Sequence, residues 1–406
     1  MIKSPYWLAA FALLAAGAPA QAQLSDGVVK IGVMNDQSGV YEDITGMKAI
    51  EAAKMAIEDF GGEVLGKKIE LVTANHQNKV DIATGIVRKW IDTEQVDVIT
   101  DITGSGIALA VNEITREKNR IMIAASAATS DLTGKACALT TAQFAYDTYA
   151  LAKSTGVETL KQGGDTWFFI TADYAFGHAL ERDTSRFVEQ GGGKVLGAVR
   201  APLGTTDYSS FLLQAQASKA KIVGLATAGG DTITVIKQAS EFGITAGGQR
   251  LGGLLIYIND VEALGLQVAQ GLVLTTSFYW DLTDDTRKWT KRFLDRTGGK
   301  RPPNMLQVGL YSGIYHYLKA VKAAGTDEAK AVSMKMRELA VNDFYNKDVK
   351  LRMDGRVMHN MYLMQVKSPQ ESKYQFDDYK LLSTVPGKDA WRPESEGNCP
   401  LVTQAK

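Results

Sequence analysis

The sequence predicts an α/β protein built from two doubly wound lobes of similar design. Strand-length apolar runs alternate with helical stretches along the chain, and these strands are apolar throughout. Such alternation is typical of parallel βαβ units whose sheet is covered by helices on both faces. The order recurs in a second series without detectable sequence repetition, and 406 residues are too many for one compact core. We therefore expect two lobes and not a solenoid.

The first series begins with a strand over Val28–Met34. The helix predicted over Gly46–Phe60 repeats apolar residues at intervals of three and four, which gives it one apolar face. The other elements of this series are strand Lys68–Thr73, helix Ile82–Asp92, strand Val96–Thr100, helix Ile107–Lys118 and strand Arg120–Ala124.

The second series follows the same order. Its elements are strand Thr166–Thr171, helix Gly177–Gln190, strand Lys194–Arg200, helix Tyr208–Ala217, strand Lys221–Ala226, helix Asp231–Phe242 and strand Arg250–Ile256. Beyond it the pattern predicts helices over Asp284–Arg296, Met305–Ala324 and Glu328–Ala340, then short strands over Lys350–Arg352 and Met361–Val366 around the turn signal Asp354-Gly355.

The first 22 residues predict a removable export signal. Lys3 gives a positive start, Trp7–Ala16 is an apolar run, and Pro19–Ala22 ends in the A-x-A pattern of a cleavage site. The apolar run is about half the ~20 residues that a membrane-spanning helix needs. No later run approaches that length. We expect an exported protein without membrane insertion.

Charge and cysteine usage limit the partners and the compartment. Basic and acidic residues balance at 45 each, so nothing favours a phosphate backbone and no nucleic acid is expected. Cys137 and Cys399 lie far apart in sequence and outside any C-x-x-C motif. In an oxidising compartment they most simply form one disulfide, which would tether the C-terminal tail, residues 386–406. Two free thiols are the alternative.

Signatures of catalysis and of metal binding are missing from the sequence. The four histidines have no metal-ligand spacing and are expected at the surface or in packing; they are His76, His178, His316 and His359. Gly104-Ser105-Gly106 is too short for a nucleophile elbow, and Gly193-Lys194 lacks the Ser or Thr of a Walker A motif. We expect neither an enzyme nor a cofactor nor a metal.

Six predicted strands end in loops of small and hydroxyl-bearing residues, each followed by a helix. The loops are Asn35–Tyr41, Thr103–Gly106, Ala125–Ser130, Asp173–Gly177, Ala228–Asp231 and Tyr257–Asp260. Open α/β sheets bind ligands beyond the carboxyl ends of their strands, where free N–H groups of helix N-termini favour anions. One such loop is explained by ordinary helix capping. Six loops that border one crevice predict a cleft for a small molecule.

At these loops the chain resembles the periplasmic solute-binding proteins of ABC importers, of the branched-chain amino-acid (Leu/Ile/Val) receptor type. The likeness rests on IGVMNDQSGVY, ASAATSDLT, TADYAFG, GLATAGGD, GLYSGIYHYLKA and GNCPLV, and it covers nearly the whole mature chain. It implies the type I periplasmic binding protein fold, with two Rossmann-like lobes joined by three hinge crossovers. It also implies a periplasmic protein, expected as a monomer, that closes on its ligand and delivers it to a membrane permease.

The resemblance also divides the chain. Lobe one is expected to comprise residues 24–141 and 276–356, and lobe two residues 142–275 and 357–385. In the family the alanine–threonine loop binds the ligand carboxylate, which implies Ala127 and Thr129 on an anion, assisted by Ser105 or the Gly104 backbone. Tyr41 would line the pocket. The remaining ligand-binding candidates in the loops are Ser38, Tyr174, Phe176, Gly230, Asp231 and Tyr257.

The same loops bear on the class of ligand. An amino-acid receptor needs an acidic group for the ligand ammonium, and only Asp231 or Asp260 is placed for it. Phe176 and the run Phe278–Trp280 suggest a more aromatic pocket, with hinge packing as the alternative for that run. Close relatives with such sequences bind aromatic carboxylates, so we expect an aromatic acid first and an aliphatic amino acid second. A ligand sensor of the same fold and an exported α/β enzyme are the other classes left open.

Overall fold

The computed structural model describes residues 24–403. The expected export signal, residues 1–22, lies outside the described residues. Within residues 24–403 the chain forms two lobes, each with a parallel sheet, and it crosses from one lobe to the other three times. The predicted α/β fold of two doubly wound lobes is confirmed.

Lobe one begins with β1 (Val29–Asn35), α1 (Gly46–Phe60), β2 (Glu63–Val64), β3 (Lys67–Asn75), α2 (Val80–Asp92), β4 (Val98–Asp101), α3 (Ser105–Glu117), β5 (Ile121–Ala124) and β6 (Thr141–Gln143). The strands form one sheet in the order β2-β3-β1-β4-β5-β6, parallel except between β2 and β3. Parallel strands have their carboxyl ends at one edge of the sheet. The loops that follow β1, β4 and β5 therefore meet there.

Lobe two begins with α4 (Thr148–Leu151), α5 (Val157–Lys161), β7 (Thr166–Ala172), α6 (Ala175–Gln190), β8 (Lys194–Ala201), α7 (Ser209–Ala217), β9 (Ile222–Ala226), α8 (Gly230–Glu241), β10 (Arg250–Gly253), α9 (Ile258–Leu264) and α10 (Leu266–Ala269). Its parallel sheet has the order β10-β9-β7-β8. A π-helical segment, Ala152–Gly156, joins α4 to α5. This helical region is absent from the predicted elements because its Thr, Ser and Gly residues are weak helix formers.

The rest of the chain contributes to both lobes with β11 (Val273–Thr276), α11 (Asp284–Thr297), α12 (Met305–Ala324), α13 (Ala329–Glu338), β12 (Met361–Val366), β13 (Tyr379–Val385), α14 (Gly387–Ala390) and α15 (Pro400–Thr403). Strands β11, β12 and β13 form an antiparallel sheet that shares a hydrophobic core with β7 and β9 of lobe two. Helices α11 and α12 pack on α1 of lobe one.

Some elements differ from the sequence expectation. Lys350–Arg352 is not a strand, since its Leu351 forms only an isolated bridge with Val357. Strand β13 was not predicted, because it lies at a sheet edge and only its Tyr379 is buried, so no alternating pattern results. The sheet of lobe one continues to Gln143, just past residue 141, where lobe one is expected to end.

The buried guanidinium of Arg356 joins two crossovers and the C-terminal tail. Arg356 is fully buried and donates to the carbonyl oxygens of Tyr146, at 3.1 Å, and of Gln143. Its Nη1 lies 3.5 Å from the Asp147 carboxylate, and its guanidinium carbon lies 4.1 Å from the centre of the Trp391 ring. A buried charge without partners costs several kcal/mol. Movement of the crossovers apart would break these contacts, so the contacts favour one spacing of the crossovers.

The tail that follows β13 contacts both lobes. Cys137 of lobe one and Cys399 form a disulfide with a Cα–Cα distance of 5.6 Å, as predicted. Glu396 accepts a hydrogen bond from Arg186 of lobe two at 2.6 Å. The tail is therefore bonded to lobe one through Cys399 and to lobe two through Glu396.

Reduction of this disulfide should destabilise the protein. Opening the crosslink frees the unfolded chain, and the loss is expected at about 2–4 kcal/mol of unfolding free energy. Thermal unfolding with and without a reductant measures the effect. The variant Cys137→Ser with Cys399→Ser, which has no disulfide, should be insensitive to the reductant. Equal melting of oxidised and reduced wild-type protein would contradict the prediction.

Asp101, the last residue of β4, connects the loops that follow three strands. Its carboxylate accepts from Asn35 Nδ2 at 2.9 Å and from the hydroxyl of Ser126. Its carbonyl oxygen accepts from the N–H groups of Ala125 and Ser126, at 3.1 and 3.2 Å. Burial raises the pKa of Asp101 to about 6. The folded state therefore favours the protonated carboxyl more than the unfolded state does.

This shift gives stability a defined pH dependence. The contribution of Asp101 is fully present below its unfolded pKa and is lost as the pH rises through about 6. The unfolding free energy of wild type minus that of Asp101→Asn should fall by about 2 kcal/mol between pH 4 and pH 7, at 1.36 kcal/mol per pKa unit. Urea unfolding of both proteins across this range measures it. A difference that does not vary with pH would contradict the assignment.

Candidate functional site

A narrow cavity lies between the two lobes at the carboxyl ends of their strands. Loops after β1, β4 and β5 form its wall in lobe one, and segments after β7, β9 and β10 form its wall in lobe two. The lining residues are Tyr41, Ile44, Thr103, Gly104, Ser105, Ser126, Ala128, Tyr146, Tyr174, Phe176, Ala228, Leu255, Tyr257 and Leu306.

The amino end of α3 borders this cavity through Gly104 and Ser105. Gly104 has a φ of 94°, a conformation that glycine adopts without strain. The first bond of the helix runs from Ala108 N–H to the Gly104 carbonyl at 2.9 Å. The N–H groups of Ser105, Gly106 and Ile107 consequently have no acceptor among residues 24–403. Free N–H groups and the helix dipole favour an anion at this end of the cavity.

The loop after β5 adds donors beside α3. Ala128 lines the cavity, and within the described chain neither its N–H nor that of Ala127 has an acceptor. Thr129 N–H donates to Ser105 Oγ at 3.1 Å, which joins the loop to α3. Thr129 Oγ1 accepts from Asp131 N–H at 3.3 Å and so caps the short 3₁₀ turn that follows.

Four tyrosines line the cavity, and their hydroxyls bond in pairs. Tyr41 of lobe one bonds to Tyr174 of lobe two, and Tyr146 of the first crossover bonds to Tyr257 of lobe two at 2.7 Å. The Tyr146 and Tyr257 rings meet edge to face with centroids 6.3 Å apart, and the Phe176 ring lies 5.8 Å from Tyr174. Burial raises the pKa of all four phenols, which are therefore neutral. The cavity has aromatic, uncharged walls.

Among the residues that the structure describes, no Asp, Glu, Lys, Arg or His lines the cavity. The two carboxylates considered for a ligand ammonium are buried and bonded elsewhere. Asp231 accepts from Gly204 N–H at 3.1 Å, and Asp260 accepts from Tyr257 N–H at 2.9 Å. Burial raises the pKa of Asp231 to about 6 and that of Asp260 to about 7. Neither residue borders the cavity as a free anion.

Six of the expected ligand-binding residues line the cavity, namely Tyr41, Gly104, Ser105, Tyr174, Phe176 and Tyr257. Ala127, Thr129 and Asp231 lie beside it with the contacts given above. Ser38 is exposed and accepts from Asn75 Nδ2 at 2.8 Å. Gly230 borders a groove on the outer surface between the lobes. These five do not line the cavity.

Several lining residues were not singled out from the sequence. Thr103, Ser126, Ala128 and Ala228 stand inside the predicted loops, so the loop pattern contained the signal for them. Ile44, Tyr146, Leu255 and Leu306 lie outside those loops, and tertiary structure alone brings them to the cavity.

The aromatic run Phe278–Trp280 packs at the second crossover and does not line the cavity. The Phe278 ring meets the Tyr345 ring edge to face at 5.8 Å, and Trp280 Nε1 donates to the Phe376 carbonyl at 2.9 Å. Of the two interpretations of this run, the structure supports hinge packing.

Residues 24–403 lack the features of a metal site and of a membrane span. No group of His, Cys, Asp and Glu there could hold a metal ion. His316 and His359 are buried, each with Nε2 at a backbone carbonyl. None of the described helices combines the length and apolarity needed to cross a bilayer.

Comparison with known proteins agrees with this architecture. The sequence profile of a family described as periplasmic binding protein matches residues 28–373. A periplasmic binding protein from Burkholderia mallei is 49% identical, with a TM-score of 0.91 over 93% of this chain and 100% of that one. A branched-chain amino acid ABC transporter periplasmic ligand-binding protein from Burkholderia xenovorans is 36% identical, with a TM-score of 0.81 over 92% and 99% of the two chains.

A solute-binding protein of an ABC transporter from R. palustris, in complex with benzoate, shares the fold. It is 22% identical, with a TM-score of 0.78 over 89% of this chain and 97% of that one. The family profile covers most of the chain, and the two-lobed fold agrees with it. This chain belongs to the periplasmic binding protein family.

Proposed function

We propose that this protein is the substrate-binding component of an ABC importer and captures a small carboxylate between its lobes. One observation carries the proposal: the cavity between the lobes combines free backbone N–H groups with walls that have no charged side chain. Family membership supports the receptor role, and the 36% identical relative is described as an ABC transporter ligand-binding protein. The export signal expected in residues 1–22 agrees with a periplasmic receptor.

The ligand carboxylate would lie at the amino end of α3. There the N–H groups of the lining residues Ser105 and Ala128 can donate to it, with those of Gly106 and Ala127 adjacent, and the hydroxyl of Ser105 adds a side-chain donor. Hydrogen bonds to a charged group contribute about 1.5–3 kcal/mol each. Thr129 would act indirectly, since its N–H holds the Ser105 hydroxyl in place.

The remainder of the ligand is proposed to be apolar or aromatic. A ligand ammonium buried without a carboxylate partner would cost several kcal/mol, and Asp231 and Asp260 are bonded to backbone N–H groups. Rings such as those of Tyr174 and Phe176 favour edge or stacked contact with another ring. The benzoate complex of the R. palustris protein is an example of the same fold holding an aromatic acid. An aromatic acid is therefore the first candidate and a branched-chain amino acid the second.

Capture would proceed by closure of the lobes. The Tyr41–Tyr174 hydroxyl pair bridges the cleft, so lobe contact and the cavity walls depend on the same residues. A ligand that contacts both walls shifts an open population toward the closed one. The closed monomer would then dock on the permease. For the moving bodies we propose residues 24–141 with 276–356 and residues 142–275 with 357–385.

A ligand panel tests the proposed class. Benzoate should raise the melting temperature in a thermal-shift assay, whereas leucine at equal concentration should raise it less, because leucine carries an ammonium that the cavity walls do not match. A bound ligand raises the free energy of unfolding by RT ln(1 + [L]/Kd), and the melting temperature rises with it. A tight ligand is therefore readily detected. A larger shift with leucine would contradict the aromatic preference. No shift with any acid or amino acid would contradict the receptor role.

The variant Ser105→Ala tests the anion site. Loss of the hydroxyl should weaken benzoate binding by about 1.5–3 kcal/mol, the range for a hydrogen bond to a charged group. Titration calorimetry on the purified protein measures the change. The exposed serine Ser210 in α7 gives a matched control, and Ser210→Ala should bind as wild type does. Unchanged affinity in Ser105→Ala would remove the Ser105 hydroxyl from the anion site.

A further inference from the structure

One loop of lobe one is held rigidly where lobe two meets it. In the segment between β1 and α1, the Asp36 carboxylate accepts from the N–H groups of Gly39 at 2.8 Å and Tyr41 at 3.0 Å. At the other end of the segment, the Ile44 carbonyl accepts from Gln307 Nε2 at 2.8 Å. The carbonyl groups between these ties are therefore presented in a fixed arrangement.

Lobe two bonds to two of these carbonyl groups. Gly230 N–H donates to the Val40 carbonyl at 3.0 Å, and Asn259 Nδ2 donates to the Asp43 carbonyl at 3.2 Å. Close approach requires a glycine beside Gly230, because a Cβ on Gly229 would lie 2.7 Å from the Val40 carbonyl oxygen. We call these five residues, Val40, Asp43, Gly229, Gly230 and Asn259, the inter-lobe clasp.

Asn259 is the side chain on which the clasp depends most. It belongs to α9 of lobe two and is fully buried. Its Oδ1 accepts from Asn304 Nδ2 at 2.7 Å, and Asn304 is the residue that caps α12 of lobe one. Donor and acceptor of the Asn259 amide thus both bond across the cleft. Asn259 does not line the cavity.

We propose that Asn259 is a positioning residue that sets ligand affinity by stabilising the closed form without touching the ligand. This inference rests on the proposed function. When the lobes part, the amide of Asn259 and its two partners return to water, so these bonds stabilise only the closed form. The apparent affinity for the ligand is weaker when a smaller fraction of the protein can close. The clasp raises that fraction and so strengthens the apparent affinity.

Titration calorimetry and thermal melting of Asn259→Ala test the proposal, with benzoate and leucine as probes. Affinity for the probe that wild type binds should fall about tenfold, as expected for net hydrogen bonds lost only on closure. The ligand-free melting temperature should stay close to the wild-type value, because the proposal requires the ligand-free protein to be mainly open. Asn342→Ala is the matched control, since Asn342 bonds within lobe one, to Asp348 at 3.0 Å; it should bind as wild type does.

Each other outcome has a distinct meaning. Unchanged affinity in Asn259→Ala, with wild-type binding intact, overturns the role of the clasp and leaves the proposed function in place. An equal fall of the melting temperature with and without ligand shows a merely structural role and also overturns it. Failure of wild-type protein to bind either probe overturns the proposed function, and the inference with it.

Discussion

Backbone N–H groups without acceptors at the start of α3 impose the main constraint on this protein. Buried donors are costly unless they are bonded, and here those of Ser105, Gly106 and Ile107 have no acceptor among the described residues. An anionic ligand would satisfy these donors, and the parallel sheet places them at the cleft.

The walls of the cavity depend on groups that tie the backbone at fixed spacing. The buried guanidinium of Arg356 donates to the Tyr146 carbonyl and so fixes the crossover segment that carries this cavity-lining tyrosine. Asp101 holds the loop that carries Ser126, and Asp36 holds the loop that carries Tyr41. The lobe-one wall and the crossover tyrosine therefore depend on polar ties within lobe one and the crossovers. Contacts between the lobes then act on rigid surfaces.

The sequence predicted most of the fold because parallel strands buried on both faces are apolar throughout, as in β5 and β9. It did not reveal β13, whose residues are mostly at the surface, or the helical region through Ala152–Gly156, whose residues favour helix weakly. Six of the residues predicted from the sequence line the cavity, because small and hydroxyl-bearing loops follow the strands. Tyr146 and Leu306 were not, since a crossover and a distant helix reach the cavity only in three dimensions. The ammonium partner expected at Asp231 depended on side-chain direction, which loop composition does not determine.

The central claim is that backbone donors at α3 hold a carboxylate in a cavity without charged side chains. Titration calorimetry with benzoate and with benzamide tests it most directly, because the two differ little in shape and differ by one negative charge. The account predicts that benzoate binds at least tenfold more tightly, a difference of about 1.4 kcal/mol or more. Equal affinities, or binding of benzamide alone, would contradict it.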